Sequence, residues 1–251
     1  MNRPDQHPNW PEGHRCIVLN TVDSTMAEAA RRAQELDYPT WIMAHEQTDA
    51  RGRRGRAWEN PKNNLSATLL LKPLCTAQVA AQHSFVAANA LLEALSLYID
   101  RRKITLKWPN DVLINGGKVA GILLESSGRG PFVDWLSVGI GVNLSYAPSV
   151  PDAAFPPVSL AGEGGEPVPP ADFLVTLATA FATQEKKLDA MGFGRIREDW
   201  LKHAAKLGDT VTARTTTETI EGLFDTIDKD GNLVLITAKG PRAIPAADVY
   251  F

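Results

Sequence analysis

One short segment, Arg51 to Arg56 with Trp58 close behind it, contains four arginines and two glycines. Glycine costs about 1 kcal/mol relative to alanine inside a helix, and closely spaced like charges repel one another. Arginine binds phosphate or carboxylate through paired hydrogen bonds, and glycine lets the backbone approach a ligand closely. The segment therefore predicts a mobile loop that closes over an anion, although a solvated basic loop or a nucleic-acid patch has the same composition.

A second segment places two lysines and an aspartate, Lys107, Asp111 and Lys118, within one strand–turn–strand unit. Lys118 directly follows the turn Asn115-Gly116-Gly117, which gives its ammonium group a rigid position beside a ligand. The unit is not a P-loop, because no Ser or Thr follows Lys118. Asp111 could bind Mg²⁺, which commonly takes one or two carboxylates together with substrate phosphates. A solvated hairpin lysine and an Asx turn would explain Lys118 and Asp111 equally well when each is taken alone.

Ser24 and Thr25 stand at the predicted start of a helix, where free N–H groups can bind a carboxylate or carbonyl. Thr25 and Glu28 have the spacing of a capping box, so the simpler expectation is that they cap this helix.

The composition of the 251 residues is that of an ordinary globular protein, with a formal net charge of −3. This charge disfavours a protein that coats nucleic acid, which would usually be basic overall. Cys16 and Cys75 form neither a metal-ligand spacing nor a disulfide framework, which suits a reducing compartment. We find no secretory signal and no apolar run of membrane-spanning length, so we expect a cytoplasmic protein without a membrane partner.

Hydrophobic patterning predicts an α+β fold in three parts: a tail over 1–14, a larger domain over 15–205 and a β-domain over 206–251. Proline- and glycine-rich residues 145–170 predict an irregular surface connection. The expected strands are 15–20, 40–45, 65–72, 104–108, 111–115, 118–125, 132–139, 210–214, 220–227, 233–237 and 242–250. The expected helices are 26–36, 78–99, 173–190 and 193–204, and Gly192 separates the last two.

Five motifs in order strongly resemble those of the bacterial biotin protein ligases. They are Asp23-Ser24-Thr25, Gln47 with the arginine segment, Lys107-Trp108-Pro109-Asn110-Asp111, Gly117 to Leu123, and Gly139 to Asn143. The resemblance covers nearly everything from residue 15 to the end. It implies a class II synthetase-like mixed sheet flanked by helices, with a small C-terminal SH3-like β-barrel. It also implies that biotin and MgATP form biotinyl-5′-AMP, and that the biotinyl group then passes to a lysine of a biotin carboxyl carrier protein.

The resemblance gives a role to each matching residue. Lys118, Arg53 and Asp111 would be catalytic, and Asp111 would also bind the metal. The biotin contacts would come from Ser24, Thr25, Gln47, Arg51, Gly52, Arg53, Lys118 and Gly121. The nucleotide contacts would come from Arg54, Arg56, Trp58, Lys107, Asn110 and Asn143. Two positions depart from the family: Met26 stands where asparagine is frequent, and Ala50 where glycine is.

Some family members carry an N-terminal winged-helix domain and act as repressors. The chain before Asp23 is too short for such a domain, so we expect a ligase without repressor function and without DNA as a partner; a homodimer formed through a sheet edge is compatible with the family.

Three rival interpretations stay open. A lipoate ligase or octanoyl transferase would share the catalytic fold, although the arginine loop, the Lys107–Asp111 segment and the β-domain favour biotin. The others are a nucleic-acid binder and a biotin-binding module without turnover.

Overall fold

A seven-stranded mixed sheet forms the centre of the protein in the computed structural model, which describes residues 3–56, 58–59, 61–150 and 153–251. Its strands are β1 (Arg15–Val22), β2 (Thr40–Gln47), β3 (Leu65–Leu71), β4 (Ile104–Lys107), β5 (Asp111–Ile114), β6 (Gly117–Ser127) and β7 (Trp135–Val142). The strand order is β1-β2-β3-β7-β6-β5-β4, in which β1 and β2 are parallel and all other neighbours are antiparallel.

Helices cover the two faces of this sheet unequally. They are α1 (Thr25–Arg32), α2 (Ala77–Ala81), α3 (His83–Leu95) and α4 (Pro170–Leu201), and α4 is interrupted at Gly192, where φ is 74°. The apolar helix α3 and the long α4 bury one whole face, including Trp41 and Leu69. On the other face α1 packs on β2, β3 and β7, through a small cluster that includes Ala29 and Leu70. The sheet beyond α1 is thereby left as the floor of a cleft.

A second sheet follows α4. It contains β8 (Thr210–Arg214), β9 (Thr219–Ile227), β10 (Leu233–Thr237), β11 (Gly240–Ile244) and β12 (Asp248–Tyr250), in the antiparallel order β11-β10-β9-β8-β12. The mixed sheet flanked by helices and the C-terminal β-domain are thus confirmed. A closed barrel is not: pairing of β11 with β12 does not occur in the described part of the chain. The strand predicted over 242–250 is divided because Pro245 has no N–H to donate to a ladder.

The two sheets share one continuous hydrophobic core. The Trp108 indole donates a hydrogen bond of 3.0 Å to the Gly231 carbonyl in the β9–β10 turn. Leu106 of β4 pairs with Ala204 in the segment that joins α4 to β8. The C-terminal sheet is therefore held against the seven-stranded sheet close to β4. No helix in the described residues is long and apolar enough to cross a membrane.

The predicted capping box is wrong. The N-cap of α1 is Ser24, without a side-chain hydrogen bond, and Thr25 is the first helical residue. The Thr25 hydroxyl donates to Gln47 instead, and Glu28 pairs with Arg31 and Arg32. A tertiary partner has thus displaced the local one.

Two further boundaries differ from the prediction. The helix expected over 78–99 divides into α2 and α3 at Gln82, where the His83 ring bonds to the Ala80 carbonyl at 3.1 Å, and α3 ends at Leu95. The strand expected over 132–139 begins at Trp135 and continues to Val142, so Gly139 and Gly141 lie inside β7 rather than after it.

The contact between α3 and α4 predicts a pH-dependent stability. Glu185 lies 3.9 Å from the His83 imidazole, and burial together with Asp189 raises the pKa of its carboxyl from 4.5 to about 7. A raised folded-state pKa contributes stability that is complete below pH 4.5 and lost as the pH rises through about 7. We expect Glu185→Gln to raise the free energy of unfolding at pH 8 by about 1–3 kcal/mol and to change it little at pH 4.5.

Urea denaturation at the two pH values measures this difference. Glu198→Gln changes an exposed glutamate of the same helix and should stay within about 0.5 kcal/mol of wild type at both. Equal effects of Glu185→Gln at pH 4.5 and pH 8 would contradict the assignment.

Candidate active site

A row of directly paired residues crosses five strands and forms the floor of the cleft: Ser66, Gly141, Gly121, Asp111 and Lys107. The cleft has a volume of about 770 Å³, within the usual range for small-molecule sites. The two glycines leave the middle of the row bare. A Cβ atom on Gly141 would lie 2.6 Å from the Trp58 ring, and one on Gly121 would lie 3.1 Å from it. The absence of these two side chains is what allows the Trp58 indole to lie flat against the sheet.

A β-bulge directs Lys118 into the cleft. The register between β5 and β6 shifts at Val112 and Leu113, so Lys118 and Gly121 come to the same face although three positions separate them. The backbone of Lys118 is also fixed from outside, because its N–H donates to the Pro156 carbonyl and its carbonyl accepts from the Val158 N–H. Gly117 permits this contact, since a Cβ atom there would lie 2.3 Å from the Val158 side chain.

Two lysines share the carboxylate of Asp111. Lys118 Nζ lies 2.6 Å from Oδ1 and Lys107 Nζ lies 3.6 Å from Oδ2. Lys107 is only 6% exposed, and its burial lowers the pKa of the ammonium group although Asp111 opposes this shift. One carboxylate cannot neutralise both cations, so the cluster keeps an excess positive charge in a poorly solvated place. Such a charge attracts an anionic ligand far more strongly than a charge at the surface does.

A chain of hydroxyls and one amide forms the inner end of the cleft, beside α1. Thr68 donates to Thr25 at 2.9 Å, Thr25 donates to Gln47 Oε1 at 3.1 Å, and Gln47 Nε2 donates to Ser66 at 2.9 Å. The Thr25 backbone N–H also donates to Gln47 Oε1, which fixes the orientation of that amide. These hydrogen bonds fix the orientation of all four side chains, as a site that recognises polar groups requires.

The arginine segment is a tight hairpin, which we call the arginine hairpin (residues 50–56). The Gly52 N–H donates to the Arg56 carbonyl, and the Trp58 N–H donates to the Ala50 carbonyl. Arg54 and Gly55 at the tip have φ values of 57° and 71°, the sign that a type I′ turn requires at both central residues. Arg53 donates to Asn110 at 3.3 Å, and the exposed Arg51 lies 3.4 Å from Asp49.

The structure brings nearly all of the predicted site residues together. Residues that line the cleft are Ser24, Thr25, Gln47, Arg51, Gly52, Arg53, Arg56, Trp58, Lys107, Asn110, Asp111, Lys118, Gly121 and Asn143. Arg54 does not line it and bonds to Asp248 instead. Asn143 reaches the cleft, but its amide donates to the Val158 carbonyl and accepts from Asn64.

Several residues that line the cleft carry no recognisable signal in the sequence. Ser66 lies in a strand whose sequence is mostly apolar. Phe155 lies in the irregular connection, and its ring is 4.5 Å from Lys107 Nζ. Arg214, Asp248 and Tyr250 come from the C-terminal sheet. No local pattern in the sequence could have placed these three at a cleft formed by other strands.

The cleft fits a metal ion only in part. The described residues contain no group of three or more His, Cys, Asp or Glu side chains that could hold one. Asp111 Oδ1 is buried and, despite the nearby ammonium group, receives no hydrogen bond of good geometry from the described residues. That oxygen is a suitable single ligand for Mg²⁺, which accepts one protein carboxylate when phosphates complete its shell.

The chain belongs to the biotin/lipoate A/B protein ligase family, whose model matches residues 18–143. A second model, the biotin protein ligase C-terminal domain, matches residues 206–251. The resemblance to biotin protein ligases drawn from the sequence motifs is therefore confirmed.

Relatives of known name agree with this membership. The biotin–[acetyl-CoA-carboxylase] ligase of Paracoccus denitrificans is 51% identical over 93% of this chain and 99% of its own. The bifunctional ligase/repressor BirA of Bacillus subtilis is 31% identical over 93% of this chain and 73% of its own. Among solved structures, the Aquifex aeolicus biotin protein ligase in complex with biotin and ATP matches with a TM-score of 0.77 at 26% identity, over 94% of this chain and 98% of that one.

The bare floor predicts a strong effect of a single methyl group. Gly141→Ala would place a Cβ atom 2.6 Å from the Trp58 indole, which is closer than van der Waals contact allows. We therefore expect either a loss of about 1–3 kcal/mol of stability or a displaced indole. Urea denaturation and a crystal structure of the variant measure the two outcomes. Gly194→Ala in α4 meets nothing within 4 Å and is the matched control. A variant with native stability and an unmoved Trp58 would contradict the prediction.

Proposed function

We propose that this protein is an ATP-dependent ligase that activates biotin as biotinyl-5′-AMP and transfers the biotinyl group to a lysine of a biotin carboxyl carrier protein. The observation that carries the proposal is the position of the Lys107–Asp111–Lys118 cluster, on a bare sheet floor between the hydroxyl–amide chain and the arginine hairpin. The cluster lies where two anions have to meet, and the hydroxyl–amide chain provides a polar pocket for one end of the acid.

The first half-reaction joins a carboxylate to the α-phosphorus of ATP. A carboxylate oxygen forms a bond to phosphorus while the bond to the bridging oxygen breaks, and pyrophosphate leaves. Two anions must approach each other, so fixed cations lower the barrier most when they already surround the reacting atoms. Lys118, whose position is fixed by the β-bulge and the Pro156–Val158 segment, contacts the biotin carboxylate. Lys107 adds a second positive charge from the floor of the cleft.

The second half-reaction breaks the mixed anhydride. The amine of the carrier lysine attacks the biotinyl carbonyl, and AMP leaves as the acyl–oxygen bond breaks. Lys118 remains beside the same oxygens and stabilises the negative charge that develops on them. Arg53 and the rest of the arginine hairpin cover the adenylate and limit its exposure to water.

Mg²⁺ is part of the proposal because ATP is used as its magnesium complex. Asp111 would supply the one protein ligand, and the metal would neutralise phosphate charge during the approach of the carboxylate.

The hydroxyl–amide chain favours biotin over lipoate or octanoate. The ureido ring of biotin offers one carbonyl and two N–H groups to Thr25, Gln47 and Ser66, whereas a dithiolane ring or an alkyl end offers none. A pocket built to bond polar groups rejects an apolar analogue, because its own buried groups would be left unpaired. Met26 and Gly139 lie against each other beside this chain and would contact the apolar part of the ligand.

We propose a cytoplasmic location, where ATP and newly made carrier proteins are present. Both cysteines are free thiols, as a reducing compartment permits.

The experiment that tests the proposed function is ATP–pyrophosphate exchange with biotin, lipoate and octanoate in parallel. Exchange with biotin alone is the expected result. Exchange with lipoate or octanoate alone would retain the chemistry and overturn the substrate, and no exchange with any of the three would overturn the proposal.

Lys118→Ala should lower biotin-dependent pyrophosphate exchange at least a hundredfold, or by about 3 kcal/mol in transition-state stabilisation, because its ammonium group faces the reacting carboxylate. Lys239→Ala, an exposed lysine between β10 and β11, should exchange at the wild-type rate. A Lys118→Ala variant with wild-type exchange would eliminate this role.

Thr68→Val should raise the KM for biotin about fivefold while kcat changes little, since one buried hydrogen bond contributes about 1 kcal/mol. Valine keeps the shape of threonine but cannot donate to Thr25, so Gln47 is held less well. Initial rates of pyrophosphate release measure both constants, with Thr183→Val on the exposed side of α4 as the control. An unchanged KM would show that the chain of hydroxyls does not orient the biotin pocket.

A further inference from the structure

Two arginines of the arginine hairpin contact the C-terminal sheet. Arg54 Nη1 and Arg56 Nη2 lie 2.8 Å and 2.7 Å from the same oxygen of Asp248, at the first residue of β12. The Asp248 side chain is 19% exposed, whereas those of Arg54 and Arg56 are 39% and 65% exposed, so the two contacts share a partly buried carboxylate but stay open to water on the arginine side. One carboxylate thus holds the tip of a hairpin that is nearly two hundred residues away along the chain.

The tip of the hairpin has an uncommon backbone conformation. Arg54 adopts a φ of 57° and a ψ of 29°, a left-handed conformation that residues other than glycine rarely adopt. Conformations of this kind persist where the surroundings determine them. The turn is closed by the Arg56 N–H, which donates to the Arg53 carbonyl, and the ion pair of the Arg54 side chain with Asp248 attaches the tip to the C-terminal sheet.

Asp248 is itself firmly placed. β12 pairs with β8, where Asp248 is opposite Arg214, and the C-terminal sheet shares the core of the catalytic sheet. Burial opposes ionisation of the Asp248 carboxyl, but the hydrogen bond from Arg56 and the charges of the hairpin arginines outweigh it and lower its pKa. The carboxylate is therefore charged at neutral pH and available to both arginines.

We propose that Asp248 is a positioning residue that holds the arginine hairpin closed over the cleft, so that the adenylate is retained between the two half-reactions. This inference rests on the proposed function. The division of labour within the hairpin follows from it: Arg53 faces the cleft floor through Asn110, whereas Arg54 binds the C-terminal sheet and sets the closed position. The C-terminal sheet then acts on the second half-reaction without contacting the reacting atoms.

Loss of this carboxylate should separate the two half-reactions. With Asp248→Asn the hairpin opens more often, so biotinyl-5′-AMP escapes before it is used, while its formation on the lysine cluster continues. We expect the KM for ATP in pyrophosphate exchange to stay within about twofold of wild type. We expect the release of free adenylate to rise about fivefold to tenfold, which corresponds to about 1–1.4 kcal/mol at 25 °C.

The experiment uses the full chain with biotin, MgATP and inorganic pyrophosphatase. Free biotinyl-5′-AMP is measured after rapid filtration, and serum albumin added as a bystander reports biotinylation of lysines outside the enzyme. Asp225→Asn, an exposed aspartate on β9 of the same sheet, is the matched control and should release adenylate at the wild-type rate.

A double-mutant cycle separates positioning from simple destabilisation. Arg54→Gln should raise adenylate release by less than Asp248→Asn, because Arg56 still contacts the carboxylate, and the double variant should release no more than Asp248→Asn alone. Additive effects, or release from Asp248→Asn equal to wild type, would overturn the inference.

A different result would also overturn it. If Asp248 instead occupied the arginines until a phosphate displaced it, Asp248→Asn would lower the KM for ATP several-fold and leave release unchanged. These outcomes are distinct from failure of the proposed function, in which the wild-type protein would show no biotin-dependent exchange.

Discussion

The antiparallel register of β3, β7, β6, β5 and β4 is the constraint on which the rest of the site depends. Side chains alternate between the faces of a sheet, so a slip by one residue would turn Lys107, Asp111 and Ser66 into the core and bring apolar residues to the cleft. The apolar residues buried by α3 and α4 fix that register from the opposite face. Packing on one side of the sheet thereby determines the chemistry on the other.

The site combines fixed positive charges on the sheet with a hairpin that can move over them. The lysine cluster is built on strands, with Lys107 buried and Lys118 bonded to Asp111, so it is in place before any ligand arrives. Among the described residues, side chains of the arginine hairpin contact Asp49, Asn110 and Asp248, and Asp248 accepts two of these contacts. Binding and activation can use the rigid part, while exchange of substrates and products requires only the hairpin to move. This arrangement fits a reaction whose intermediate must be kept from water but later offered to a protein.

Much of this could be predicted from local sequence. Lys118 follows a glycine turn that indicates a hairpin, and the arginine-glycine segment disfavours a regular helix, so both segments could be singled out from local sequence, and both contribute residues to the lining of the cleft. Interactions between distant residues could not be predicted. The bulge that turns Lys118 towards Asp111 depends on how two strands pair, and Thr25 looked like a cap because nothing nearby in sequence indicates Gln47. Asp248 has no motif at all, and its position depends on the docking of a whole second sheet.

The contact between β4 and the segment after α4 limits where a further strand can be added to the sheet. Leu106 donates its N–H to His203 and accepts from Ala205, so the outer edge of this short strand is already occupied. An edge strand with free backbone groups is where another chain can add a strand. At the end of the seven-stranded order that carries Lys107, the protein's own backbone therefore occupies the position at Leu106 where another chain would pair, next to the lysine cluster.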